Sequence, residues 1–70
     1  MKIKYFADTD TALIEMRKSE IAETLEINEN LYIDVDKEGN VVNITVEHAR
    51  KNMNLPEFSY EELHTEPKSA

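Results

Sequence analysis

Asp34, Asp36, Glu38 and Asn40 put a side-chain oxygen at every second position of a short run, and Gly39 stands sixth counting from Asp34. Alternate oxygens with a glycine at the sixth place open a calcium-binding loop, where they wrap a hard cation. The run departs from such a loop at its twelfth place, which should be a bidentate Glu and is Thr45. Its flanks also read as strands rather than helices. In a strand, Asp34 and Asp36 lie on the exposed side while Val35 turns inward, so period-two alternation accounts for every residue of the run without a metal.

The other reactive side chains are as dispersed. His48 and His64 are the only histidines, and neither stands in a zinc-binding spacing. His48 is expected to be a satisfied or solvent-facing histidine rather than a general base. Ser19, Ser59 and Ser69 lie outside any nucleophile-elbow context, and one glycine cannot build a phosphate-binding loop. Glu61 and Glu62 are adjacent and would point apart on a helix. No catalytic, metal-binding or cofactor-binding residue is therefore expected, and the chain is read as not an enzyme.

The elements that would carry these residues are mostly strands. Lys2 to Phe6 places Ile3 and Tyr5 on one face. Thr11 to Arg17 places Ala12, Ile14 and Met16 together, with Leu13 opposite. Ala22 to Ile27 groups Leu25 with Ile27. Leu31 to Asp36 sets Leu31, Ile33 and Val35 against Tyr32, Asp34 and Asp36, and Val41 to Glu47 turns Val42, Ile44 and Val46 inward. Asp8-Thr9-Asp10 reads as the first turn and Lys18-Ser19-Glu20 as the second. Ile27 and Leu31 are expected to pair across a three-residue loop, Asn28 to Asn30, with Asn30 left-handed. Val35 and Val42 share a face, which favours a four-residue loop from Lys37 to Asn40 with Gly39 left-handed. Phe6, Leu13, Tyr32 and Val41 fall on the second face, which therefore also wants cover.

Past the last strand, Glu47 to Met53 can make two helical turns with Ala49 and Met53 stacked, ended by Asn54 and Pro56. Ser59 and Glu62 form a capping box, and Phe58 and Leu63 a hydrophobic staple, around a second short helix. A helix of about seven residues persists only when docked, through Phe58, Tyr60 and Leu63. The fold class expected is mainly β: an antiparallel meander of about five strands followed by one or two short C-terminal helices. Residues 1–55 form the β domain, 56–66 a docking tail and 67–70 a disordered end.

Composition bounds the function. Seventy residues bury only roughly 60% of their unfolded surface, and without cysteine neither disulfides nor a thiolate zinc site can help. Oligomerisation is the remaining common route, so a homodimer is expected. Fifteen acidic residues stand against eight basic ones, a net charge of −7. The excess sits in residues 18–40, with seven acidic against two basic, and in residues 56–70, with four against one. That balance opposes nucleic-acid binding; it keeps a small domain soluble, and it also suits a basic protein partner. Met1 to Phe6 lacks the apolar stretch of a signal peptide and no run could span a bilayer, so the expected location is the cytoplasm and no membrane is a partner.

Residues 1 to about 53 resemble a bacterial family of short acidic proteins, domain-of-unknown-function family 2283. The resemblance is carried by Met1-Lys-Ile-Lys-Tyr5, Asp8-Thr-Asp-Thr-Ala-Leu-Ile-Glu15, Ala22-Glu-Thr24, Asp34-Val-Asp-Lys-Glu-Gly-Asn40 and Ile44-Thr-Val-Glu-His-Ala49. Phe58-Ser-Tyr-Glu-Glu-Leu63 is similar to an extension in one subgroup, and Leu13 stands where the family often has Tyr. The resemblance brings no catalytic residues. Some members look like small partners of toxin-like proteins, which implies an antitoxin-like role. The expected function is a non-enzymatic protein-binding module, with an autonomous homodimeric structural or regulatory protein as the alternative. The expected partner or dimer surface is Phe6, Leu13, Tyr32, Val41, Phe58, Tyr60 and Leu63.

Overall fold

The computed structural model describes residues 1–64. Five strands form: β1 (Lys2–Phe6), β2 (Thr11–Glu15), β3 (Glu23–Asn28), β4 (Leu31–Val35) and β5 (Val41–Glu47), followed by α1 (Ala49–Asn52). All neighbours are antiparallel, in the order β1-β2-β5-β4-β3. No helix among the described residues is long and apolar enough to cross a membrane.

A mainly β antiparallel sheet with a short helix after it is as expected. The strand order is not that of a meander. β3, β4 and β5 are consecutive hairpins, but β5 then returns beside β2, so β2 to β5 make a Greek key. Placement follows composition. β5 is the longest strand and carries Val42, Ile44 and Val46, so it gains most from two neighbours. β3, with Glu23 and Glu26, and β1, with Lys2 and Lys4, take the edges, where charge discourages further pairing. Lys18-Ser19-Glu20 is accordingly not a hairpin turn. It lies in residues 16–22, which cross the ends of β5 and β4. Three strand spacings are about 14 Å, well within the reach of seven extended residues. The crossing is pinned by Met16 N–H donating to the Val42 carbonyl (2.8 Å) and Ala22 N–H to the Val35 carbonyl (2.8 Å).

Two loops are each one residue shorter than expected, and a bulge restores parity in both. Asn28 pairs with Leu31 across Glu29-Asn30, Asn28 Oδ1 accepts from Asn30 N–H (2.8 Å), and Ile27 is the extra residue. Positive φ occurs at Asp10, His48 and Gly39 but not at Asn30. Likewise Asp36 N–H donates to the Asn40 carbonyl (2.9 Å) across Lys37-Glu38-Gly39, with Gly39 left-handed at φ 86°. Val41 then pairs with Val35 while Asp34 pairs with Asn43, so Val42 is the extra residue. Val41 therefore belongs with Val35 on the apolar face, not with Tyr32 as the simple alternation predicts.

Asp36 organises this turn. Only 6% exposed, it accepts from Asn40 N–H (2.8 Å), Glu38 N–H (3.0 Å), Ser19 Oγ (3.2 Å) and Asn40 Nδ2 (3.4 Å). Asp34 is spent in the same way, accepting from Thr24 Oγ1 (2.6 Å) and Asn43 Nδ2 (3.2 Å). The alternating carboxylates thus hold the β4–β5 turn and the sheet.

α1 is shorter than the two turns expected, because His48 takes a left-handed φ of 51° at its start. The stacking of Ala49 under Met53 survives, with Met53 N–H donating to the Ala49 carbonyl (2.7 Å). The second helix does not form. Residues 57–64 have no regular structure, and Phe58, Tyr60 and Leu63 are 64%, 76% and 74% exposed. The capping box lacks the docked surface that so short a helix needs. The end expected to be disordered, 67–70, and the last two residues of the tail lie outside the described residues.

Two predictions follow from the β4–β5 turn. Gly39 has open space where a Cβ would stand, so Gly39→Ala meets only the left-handed backbone penalty and should cost about 1 kcal/mol in urea unfolding; an unchanged midpoint would refute this account of the turn. The Asn40 N–H, with help from the Asn40 amide, the Glu38 N–H and the Ser19 hydroxyl, holds the Asp36 carboxyl below its ordinary range against the opposing effect of burial. Its folded pKa is below its unfolded value of about 3.9, so its contribution is full above that value and is lost as pH falls through the folded pKa. Asp36→Asn should therefore be less stable than the parent near neutral pH, and should lose less stability on acidification.

Candidate functional site

The two faces of the sheet differ sharply. One carries Ile3, Ile14, Ile44, Ile33 and Leu25 in a single register row across all five strands, in the order β1, β2, β5, β4, β3. Beside it runs a second row, Tyr5, Ala12, Val46 and Leu31. Glu23, at the start of β3, is the one charged side chain at the paired positions of this face.

α1 covers the second row. Ala49 and Ala12 are fully buried and pack with Val46, and Tyr5, Leu31, Ile44, Met53 and Leu55 close around them. Asp10 clasps the helix to the β1–β2 turn. Its carbonyl accepts from Ala49 N–H (2.8 Å), and its Oδ1 accepts from the Tyr5 hydroxyl (2.7 Å) and from Arg50 N–H (3.1 Å). Arg50 Nε donates to the Tyr5 hydroxyl (2.9 Å), and the guanidinium lies 5.0 Å from the centre of the Tyr5 ring. The Tyr5 hydroxyl holds the Asp10 carboxyl below its ordinary range, assisted by the Arg50 N–H. The same bond to Asp10 raises Tyr5, so the phenol stays protonated at neutral pH and serves as a donor, not a base. The cluster is a structural clasp.

Beyond this corner the face is mostly open; Val42, at the other end of β5, is the exception at 3% exposed. Ile3, Ile14 and Ile33 are only partly buried, Leu25 is 38% exposed, and no large side chain is fully buried among the described residues. Met16, next after β2, is 43% exposed, and Ile27, in the β3 bulge, 53%. Between the open part and the clasp lies a cleft of about 420 Å³ lined by Met1, Ile3, Tyr5, Arg50, Leu55, Pro56 and Phe58.

The opposite face is a polar mosaic. Lys4 Nζ pairs with Glu15 (2.9 Å), Thr11 Oγ1 donates to Glu47 (2.8 Å), and Asp34 bridges Thr24 and Asn43. Leu13 and Tyr32 lie in this face, both partly buried, but Thr45 on β5 stands between them. Phe6, at the end of β1, is 48% exposed. Of the residues expected to share one contact surface, the structure thus leaves Phe6, Leu13 and Tyr32 dispersed on the polar face and moves Val41 to the apolar one. Phe58 lies in the cleft, while Tyr60 and Leu63 project beyond it. His48 is exposed, with Nδ1 2.9 Å from Asn30 Oδ1. Tyr5, Asp10 and Arg50 escape sequence reasoning because Arg50 is 40 residues from Asp10 and no local pattern links them.

The comparisons bear on this geometry only at the level of family. No curated protein and no solved structure matches the chain. One family model, described as a protein of unknown function (DUF2283), matches residues 2–50, which span all five strands and the start of α1. The match covers more than half of the chain and the whole of the sheet, and the chain belongs to the DUF2283 family.

Proposed function

We propose that this chain is a non-enzymatic protein-binding module whose contact surface is the open apolar face. The observation that carries the reading is the row Ile3, Ile14, Ile44, Ile33 and Leu25, which crosses the whole sheet while the α1 cluster reaches it only at Ile44. A continuous apolar patch on a small acidic protein is where association removes most unfavourable surface from water. The nearby reactive groups are taken up by structure: Asp10, Tyr5 and Arg50 by the clasp, Asp34 by the sheet and Asp36 by the turn. An antitoxin-like form of this reading, in which the chain masks a basic protein, draws support from the net charge of −7.

Site-specific photocrosslinking in cells tests the reading. A photoreactive residue at Leu25 should give discrete protein adducts, and one at Phe6, on the polar face, should not. Adducts at Phe6 with none at Leu25 would overturn it.

A further inference from the structure

We infer that the free edge of β3 takes an extended basic segment of a partner protein as a sixth strand. The inference rests on the protein-binding reading and deepens it, naming the partner's chemistry and the way it is held.

The edge is bare. β3 ends the sheet, with β4 as its one neighbour, and each of its six residues is exposed. The other edge differs: in β1, Ile3 and Tyr5 are partly buried and share a cleft with Leu55, Pro56 and Phe58. A strand carries N–H and C=O groups along both sides, so the outer side of β3 is a ready template for another chain. An extended segment satisfies those groups at the ordinary strand spacing of about 4.8 Å. Such a strand lies in the plane of the sheet. It does not compete for space with α1 and Met53 to Leu55, which pack on one face around Ala12 and Val46.

Charge selects the occupant. From Glu20 to Asp36 the chain has six carboxylates and no Lys, Arg or His. Asp34 and Asp36 are taken up by the sheet and the turn. Glu23 and Glu26 lie within β3, and Glu20 and Glu29 stand just beyond its two ends. None of these four is in an ion pair among the described residues. Two β3 edges brought together would set glutamates near glutamates, which turns a second copy away. A strand bearing Lys or Arg meets the opposite charge there, and the same carboxylates steer it to the edge.

Register refines the chemistry. Glu23 and Leu25 share the apolar face with Val35 and Ile33, while Thr24 and Glu26 share the polar face with Asp34 and Tyr32. Side chains directly opposite each other interact across an antiparallel pair. The complementary strand therefore has a basic residue opposite Glu26, an aliphatic one opposite Leu25, a small polar one opposite Thr24 and a basic one opposite Glu23. Its aliphatic residue continues the row of Ile3, Ile14, Ile44, Ile33 and Leu25 by one more strand.

Amide hydrogen exchange of the full chain, followed by NMR during titration with an end-blocked peptide centred on Lys-Val-Thr-Lys, tests the inference. Exchange should slow along β3 and remain unchanged along β1. The same peptide N-methylated at its Val and Thr keeps its charge but loses a donor on each edge, and should bind at least about tenfold more weakly. Replacing Glu23 and Glu26 together by Lys should weaken the parent peptide at least about tenfold. The same change at Glu61 and Glu62, which alters net charge equally, should not. If the β3 variant misfolds, the comparison of the two peptides on the parent chain decides. No slowing at β3, equal binding of the N-methylated peptide, or equal weakening by the Glu61 and Glu62 variant overturns the inference. Protein adducts at Leu25 in cells without β3 protection by the peptide overturn the sixth strand but leave the proposed function standing. Absence of both removes both.

Discussion

The apolar face of the sheet spans five strands, and the four-residue α1 with the segment after it packs on only one corner of it. Much of the structure answers to that mismatch. Burial is complete at Ala12 and Ala49, where α1 sits, and nearly so at Val42 at the other end of β5, and falls away toward β3. A helix of one turn has almost no stability of its own, so its position depends on contacts outside itself. Asp10 supplies them from a left-handed turn residue, using its carbonyl and its carboxylate on successive amides of the helix. Tyr5 and Arg50 then tie the same carboxylate to the edge strand.

Much of the acidity that dominates the composition is structural where the fold can use it. Asp36 gathers the turn amides, Asp34 bridges three strands through Thr24 and Asn43, and Glu15 and Glu47 bond their cross-strand neighbours. These carboxylates sit on the polar face or at strand ends. That leaves the other face almost free of charge.

A candidate surface centred on Phe6, Leu13 and Tyr32 came from counting large side chains on the second face. What the count missed is spacing. Thr45 separates Leu13 from Tyr32, and the Lys4–Glu15 ion pair and side-chain hydrogen bonds fill the gaps, so scattered apolar groups there are ordinary surface. The first face, expected to be core, is the one left uncovered. Whether an apolar face becomes core or contact depends on how much cover the rest of the chain brings, which no strand reveals.

Local sequence was enough to determine the five strands, the inward residues of each outside the bulges at Ile27 and Val42, the left-handed Gly39 and the Ala49–Met53 stack. Each rests on an interaction within a few residues: period-two alternation, a turn's steric demand, one helical turn. Strand order was beyond it, because β2 alternates equally well beside β3 or beside β5. Only the whole sheet decides that the most apolar strand takes the centre and the charged ones the edges. The loops are one residue shorter than alternation requires because a bulge at Ile27 or Val42 restores the parity. The helix at Ser59–Leu63 had its local signals in place and still did not form. Capping orients a helix that something else stabilises, and the residues it needed to bury, Phe58, Tyr60 and Leu63, remain largely in solvent.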